Sequence, residues 1–162
     1  MTATIRAATR ADVPDLGRLG AALMRTHYDF DPLRFLTPRP DAARGYGSFL
    51  GSMLDDSDAA VFVAEVDGEI VGYVFAALEP LSWKELRGPA GFVHDLLVVE
   101  SAARRGIAKD LMARAIAWMR ERGAPRVLLG TAAQNTRAQA LFKRLGFRET
   151  MIEMTLELQG EQ

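Results

Sequence analysis

Apolar side chains recur along this chain at two different spacings, and each spacing predicts a type of element. A spacing of three to four residues, typical of an amphipathic helix, occurs in residues 13–27, 41–54, 107–122 and 135–145. Short runs rich in branched and aromatic residues, typical of strands, occupy residues 5–8, 60–66, 69–78, 92–99, 126–131 and 150–158. The predicted order is therefore β-α-α-β-β-β-α-β-α-β.

Residues that break helices and strands separate these segments. Asp67-Gly68 is a two-residue hairpin signal, and a glycine and a proline follow the third helix. Two polar segments that contain prolines, residues 28–40 and 79–90, are predicted to be loops. An antiparallel meander followed by a βαβ crossover predicts one α/β domain over residues 1–162, with a mixed, mostly antiparallel sheet and helices on both faces.

The last predicted strand has a regular alternation of apolar and polar residues. Successive residues of a strand point to opposite faces, so one face collects the apolar side chains and the other the polar ones. The apolar set is Ile152, Met154, Leu156 and Leu158. Such a strand permits packing against, or exchange with, a second copy, so the sequence is compatible with a homodimer.

Composition narrows the class of protein. The 162 residues carry a formal net charge of −1, which provides no long-range attraction for nucleic acid or an anionic membrane. There is no cysteine, which excludes disulfides, thiolate metal sites and a cysteine nucleophile. No apolar run approaches the ~18 residues of a membrane span, and the first residues do not read as a secretory signal. We expect a cytoplasmic protein without nucleic-acid or membrane partners.

The most informative segment is VHDLLVVESAARRGIAKDL, residues 93–111, in which a strand leads through a short loop into a helix. Small residues at Gly106 and Ala108 let backbone amides approach a ligand, and the helix start adds unpaired N–H groups and partial positive charge. With Arg104 and Arg105, this is a site suited to a pyrophosphate. The alternative is a plain helix start with solvated arginines. Neither the P-loop nor the GxGxxG fingerprint is present.

Two blocks of the sequence resemble the GNAT-type N-acetyltransferases. Residues Ala103–Ala108 resemble the acetyl-CoA loop of that family, Gln/Arg-x-x-Gly-x-Gly/Ala, with Ala103 in place of the first Gln or Arg. Residues 130–147 are similar to the family's fifth strand, fourth helix and Gly-Phe ending. The resemblance implies a GNAT fold in which strands four and five splay apart around the pantetheine arm of acetyl-CoA. It implies these cofactor-binding residues: Leu96, Leu97, Val98, Arg104, Arg105, Gly106, Ile107, Ala108, Lys109, Asn135, Ala138 and Phe142.

Acetyl transfer to an amine requires a group that accepts the amine proton, because an alkylamine is mostly cationic at neutral pH. The candidates are His94 and Asp95, in the strand where the family carries Glu-Asp. The alternatives are a histidine satisfied by a backbone carbonyl and a structural carboxylate. Adjacent strand residues point to opposite faces, so we expect that only one of them reaches the pocket. Many relatives have a tyrosine at the position of Phe142 to protonate the leaving thiolate, and a phenylalanine has no proton to donate.

The resemblance places the acceptor site at the first two helices, their loop and the loop after strand three. It assigns substrate binding to Tyr28, Asp29, Phe30, Glu79 and Trp83. Aromatic rings beside carboxylates suit a cationic amine, although a half-packed loop with solvated acids is the simpler interpretation of any one residue. No cluster of residues has metal-ligand spacing, so no metal is expected.

The sequence therefore predicts an acetyl-CoA-dependent N-acetyltransferase that acts on a primary amine. We expect a small-molecule acceptor and direct attack in a ternary complex. The alternatives are a protein or peptide N-acetyltransferase, and a non-catalytic sensor that binds acyl-CoA.

Overall fold

A computed structural model describes residues 2–158 of the chain. Its strands and helices follow the predicted order as far as the fourth helix. The strands are β1 (Thr4–Ala7), β2 (Ala59–Val66), β3 (Glu69–Glu79), β4 (Ala90–Val98) and β5 (Val127–Leu129). The α-helices are α1 (Val13–Phe30), α2 (Ala42–Met53), α3 (Ile107–Glu121) and α4 (Thr136–Arg144). In the described region, none of the helices is long and apolar enough to span a membrane.

The strands form one mixed sheet in the order β1-β2-β3-β4-β5. The first four are antiparallel neighbours, and β5 runs parallel to β4. The pairing between β4 and β5 involves Gly91, Phe92 and Val93 of β4 and goes no further along that strand. The remaining part of β4 is thus separated from β5, which confirms the predicted splay of strands four and five.

Helices cover both faces of the sheet, as predicted. On one face, α3 packs with Leu111, Ala115 and Met119 in a core that also contains Phe142 of α4. On the other face, α1 and α2 bury a second core around Leu16 and Leu19, among others. Each face of the sheet therefore has its own apolar core, and the split between β4 and β5 lies between two packed layers.

Small residues let α1 and α2 approach each other closely. A Cβ added to Gly17 would lie 2.2 Å from the carbonyl oxygen of Ala43, and one added to Gly20 would lie 2.0 Å from the Tyr46 ring. Both distances are far below any real contact, so neither position accepts a larger residue without movement. The close crossing brings the side chains of α2 towards β4.

Two sequence predictions are wrong. Residues 28–30 are helical instead of opening a loop, because the first proline after α1 stands at position 32 and nothing interrupts the helix before it. Residues 150–158 form no strand. Alternation makes a segment capable of being a strand, but a strand also needs a neighbour to pair with, and none of the described segments pairs with this one.

Candidate active site

A β-bulge in β4 places two adjacent side chains on the same face of the sheet. Phe75 of β3 pairs with Asp95 and the next residue, Ala76, pairs with Val93, so His94 is an extra residue without a partner in β3. An extra residue resets the alternation of the strand. His94 and Asp95 therefore both line one pocket on the α1–α2 side. The expectation that only one of them reaches the pocket is wrong for this reason.

Asp95 is a buried carboxylate held by two tyrosines. The hydroxyl of Tyr46 donates to Oδ2 of Asp95 at 2.6 Å, and the hydroxyl of Tyr73 donates to the same oxygen at 3.0 Å. Burial raises the pKa of Asp95 above its ordinary value, and the two phenols oppose that rise because they stabilise the anion. Burial and the neighbouring carboxylate raise the pKa of both tyrosines, which keeps them protonated as donors.

The position of Tyr46 depends on the close crossing of the two helices. Its ring lies directly over Gly20 of α1, where a Cβ would collide with it. It also meets Phe49 edge-on, with ring centroids 5.7 Å apart. The absence of a side chain at Gly20 thus lets Tyr46 of α2 reach Asp95 on β4.

His94 is held between aromatic rings and a second carboxylate. Its ring stacks against Phe92, with centroids 4.7 Å apart, and against Phe75 at 5.1 Å. Its Nε2 lies 3.0 Å from Oε1 of Glu79, at the end of β3. These contacts orient the imidazole and leave Nδ1 as its second site for a proton.

The pocket has a volume of about 210 Å³ and brings α1, the α1–α2 connection, α2 and β4 together. Both histidines of the chain contribute to it. Nδ1 of His27 lies 2.9 Å from the carbonyl oxygen of Leu23, so its Nε2 is the nitrogen that remains for other contacts. The lining residues are Leu23, Met24, His27, Phe35, Leu36, Tyr46, His94 and Asp95.

The residues predicted to bind the acceptor are dispersed. Glu79 reaches the pocket through its contact with His94. Tyr28 and Phe30 are half-buried on α1, and Trp83 is 83% exposed. Asp29 lines a separate groove between α1 and the segment that leads into α2.

The sequence does not identify Leu23, Tyr46, Phe35 or Leu36 as pocket residues. Leu23 and His27 lie one helical turn apart on α1, a spacing that indicates a shared face. Tyr46 stands 49 residues before Asp95, and Phe35 and Leu36 belong to an irregular segment, so no local pattern identifies these three.

The loop before α3 has the backbone geometry of an anion site. Arg104 (φ 64°) and Gly106 (φ 81°) adopt the left-handed conformation, which favours glycine. The first hydrogen bond of the helix runs from the amide of Asp110 to the carbonyl of Gly106, so the four preceding amides lack a partner within the helix. Arg104, Arg105 and Lys109 are exposed around them, whereas the Ile107 side chain is buried in the core, which leaves only its main chain for a ligand.

The second block of predicted cofactor residues lies at the start of α4. Asn135 is the N-cap of this helix, and its Oδ1 accepts from the amide of Ala138 at 3.1 Å. Its side-chain NH₂ therefore keeps its donors for other partners. Phe142 is buried and packs against Phe147, with ring centroids 5.9 Å apart. Leu96, Leu97 and Val98 are half-buried on the part of β4 that lies beyond the pairing with β5.

Over residues 2–158, no three side chains of His, Asp or Glu come together as a metal site.

Comparison with solved structures identifies the fold. The fold matches the aminoglycoside N-acetyltransferase AAC(6')-Iy in complex with CoA, with a TM-score of 0.74 over 98% of this chain and 96% of that chain. The two sequences are 22% identical, and a likeness at that level shows the fold. The fold is that of the acetyltransferases.

The family follows from the sequence comparison. The model of the Acetyltransferase (GNAT) family matches residues 21–147, and the chain belongs to that family. An N-alpha-acetyltransferase of Sulfurisphaera tokodaii is 34% identical over 118 residues, 70% of this chain and 71% of the relative. An aminoglycoside N(6')-acetyltransferase type 1 of Stenotrophomonas maltophilia is 29% identical over 150 residues, 91% of this chain and 87% of the relative. The predicted enzyme class, an acetyl-CoA-dependent N-acetyltransferase, is confirmed.

Proposed function

We propose that this enzyme transfers the acetyl group of acetyl-CoA to a primary amine of a small molecule, by direct attack in a ternary complex. The observation that carries the proposal is the pocket in which the β4 bulge presents both His94 and Asp95. This pocket lies where β4 loses its pairing with β5. An amine in the pocket and a thioester in the split would therefore meet at β4.

The chain has the groups that acetyl-CoA requires. The left-handed loop and the open amides from Gly106 to Lys109 suit the pyrophosphate, and the exposed Arg104 and Arg105 add positive charge. Leu96–Val98 pair with β3 but not with β5, and the edge of their main chain that faces away from β3 suits the amide groups of the pantetheine arm, with Asn135, Ala138 and Phe142 beside it. When bound, acetyl-CoA supplies the activated acetyl carbonyl.

Proton removal from the amine is assigned to His94. Its Nε2 contact with Glu79 orients the ring and stabilises the imidazolium that forms when Nδ1 accepts the proton. Asp95 lies next to it in the same pocket, and in its carboxylate form it attracts a cationic amine before deprotonation. Phe142 is no proton donor, and the hydroxyls of Tyr46 and Tyr73 are engaged by Asp95, so the thiolate leaves without a proton from this set.

The lining of the pocket supports a small cationic acceptor. Aromatic side chains, Tyr46 and Phe35 among them, stand beside a carboxylate, a combination that favours ammonium groups. A volume of about 210 Å³ suits one amine-bearing ring or chain end. The Stenotrophomonas relative is named for action on aminoglycosides. We therefore propose polycationic small molecules of that type as the first acceptors to test. We also propose that residues 1–162 form a single catalytic domain, that the enzyme is cytoplasmic and that it forms a homodimer.

The test is release of thiol from acetyl-CoA over a panel of amines that contains aminoglycosides, polyamines and peptides with a free amino terminus. The proposal expects turnover with small polyamines or aminoglycosides and little with peptides. Turnover with peptides alone would assign the enzyme to protein acetylation. Binding of acetyl-CoA with no turnover of any amine would support the sensor.

The role of His94 is tested by His94→Ala, with His27→Ala as the matched control in the same pocket. We expect His94→Ala to lose kcat on the order of 10²–10⁴-fold and to abolish the acidic limb of the pH–rate profile, with unchanged affinity for CoA. His27→Ala is expected to change KM and to retain that limb. Equal pH–rate profiles for His94→Ala and the wild type would reject the assignment.

A further inference from the structure

His27 is a polar group on an otherwise apolar wall of the pocket. Within residues 2–158, the other residues that line the pocket from α1 and its connection to α2 have no nitrogen or oxygen in their side chains. They are Leu23, Met24, Phe35 and Leu36. The proton chemistry assigned above uses His94 on β4 and gives His27 no role. A half-buried polar group on an apolar wall requires a hydrogen-bond partner.

The hydrogen bond at Nδ1 of His27 fixes which ring nitrogen carries the proton. Nδ1 lies 2.9 Å from the carbonyl oxygen of Leu23, one turn earlier in α1. A carbonyl oxygen can only accept, so Nδ1 carries a hydrogen and donates it. A neutral imidazole has one N–H group and one nitrogen with a free lone pair. In its neutral form, His27 therefore has Nε2 as a hydrogen-bond acceptor.

Two aromatic rings hold the imidazole of His27 in place. Phe35 meets it edge-on with ring centroids 4.9 Å apart, and Phe30 does so at 6.1 Å. Because the ring is packed on both rings and Nδ1 is bonded to its own helix, the side chain is ordered before a ligand arrives. A preformed acceptor of this kind binds a donor at a low cost in conformational entropy.

We propose that Nε2 of His27 accepts a hydrogen bond from a second N–H or O–H group of the amine acceptor, and so selects acceptors that carry such a group a few bonds from the reacting amine. This rests on the proposed function, in which the reacting amine lies at His94. The ligand then spans the pocket from β4 to α1, and a pocket of about 210 Å³ has room for a short chain with both groups. A plain alkylamine would place a methyl group against the lone pair and leave Nε2 unpaired.

The test compares amines of equal size that differ in one terminal group. Ethylenediamine, ethanolamine and propylamine form one such set, which end in an amino, a hydroxyl and a methyl group, and longer homologous sets vary the spacing. Affinity is measured by calorimetry in the presence of CoA, which has no acetyl group to transfer. In at least one set, the wild type is expected to bind the diamine and the amino alcohol more tightly than the alkylamine.

Two variants of His27 and one control assign this preference to Nε2. His27→Phe keeps a ring beside Phe30 and Phe35 and removes the acceptor; it is expected to lose roughly 3–10-fold of the preference for the amino alcohol and ~10–100-fold for a charged diamine. His27→Gln restores an acceptor and is expected to retain the preference. Thr26→Val is the control, because Oγ1 of Thr26 donates to the carbonyl oxygen of Ala22 at 3.0 Å on the exposed side of α1. Removal of that bond is expected to leave the preference unchanged.

Three results would overturn the proposal. One is a wild type that shows no preference in any set of amines, and another is a His27→Phe variant that keeps the full preference. The third comes from long-range proton–nitrogen NMR spectra of the free protein, which distinguish the two neutral forms of the ring. The hydrogen is expected on Nδ1 of His27, and a neutral ring with its hydrogen on Nε2 contradicts the proposal.

Thiol release from acetyl-CoA with the same amines tests the proposed function separately. A preference that depends on His27 in the binding experiment, without turnover of any amine, supports recognition by His27 and rejects the acetyl transfer. Turnover of small amines without that preference leaves the acetyltransferase proposal intact and rejects the role of His27.

Discussion

Replacing Tyr46 by phenylalanine removes one donor from a buried carboxylate and leaves the ring in place. The hydroxyl of Tyr46 donates to Asp95 at 2.6 Å, and Tyr73 remains as the only other phenol at 3.0 Å. A hydrogen bond to a charged group contributes ~1.5–3 kcal/mol, and one between neutral groups about 1 kcal/mol. We expect Tyr46→Phe to lower the free energy of unfolding by the larger amount where Asp95 is ionised and by the smaller where it is protonated.

The pH dependence gives this prediction its sign. Burial raises the pKa of Asp95 above its unfolded value, so its contribution to stability is fully present below the unfolded pKa and is lost as the pH rises through the folded pKa. Removal of Tyr46 raises the folded pKa further, because that donor favoured the anion. The difference between wild type and variant therefore grows with pH.

The assay is urea unfolding at a low and a high pH, since the raised pKa of Asp95 makes the difference between wild type and variant grow with pH. Tyr28→Phe, which removes a hydroxyl on α1 that has no bond to Asp95, is the control and is expected to show the same small effect at both pH values. If Tyr46→Phe lowers the free energy of unfolding equally at the two pH values, or not at all at the higher one, Tyr46 does not stabilise an ionised Asp95.

Three further substitutions test other parts of the structure. Arg6 holds the pKa of Asp12 at about 2, below its ordinary 3.8. Asp12→Asn is therefore expected to lower the free energy of unfolding by about 2 kcal/mol at neutral pH. In urea titrations this loss should be present above the unfolded pKa and disappear as the pH falls through about 2. Gly20→Ala is expected to lower the free energy of unfolding by about 1–3 kcal/mol through overpacking and to raise KM for the amine, because Tyr46 must move. A wild-type KM would contradict the claim that Gly20 makes room for Tyr46. Gly106→Ala is expected to cost about 1–2 kcal/mol at its positive φ and to weaken CoA binding in calorimetry.

The architecture could be predicted because periodicity reports local structure. The meander from β2 to β4 follows from three apolar runs and the Asp67-Gly68 turn, which the structure forms between Val66 and Glu69. The anion site before α3 is predicted from small residues that let backbone amides approach a ligand, and the structure gives Gly106 in that loop a left-handed conformation. Both are properties of short stretches of chain.

The features that the sequence did not reveal depend on contacts between distant parts. The bulge at His94 arises from the register of β4 against β3, which no residue of β4 encodes by itself. Tyr46 joins Asp95 only because α2 crosses α1 at the glycines. The apolar alternation of residues 150–158 is typical of a strand, but a strand also needs a neighbour, and none of the described segments pairs with these residues.

The chain has two histidines and both line the pocket, so their ring protons can report on the pocket in proton NMR spectra without residue-specific labelling. Among the ring C–H signals, each histidine contributes one from its Cε1–H group: one from His94, which contacts Glu79, and one from His27 on α1. Titration of an amine into the protein would shift both signals if it enters, and the order in which they respond would show from which side the acceptor approaches.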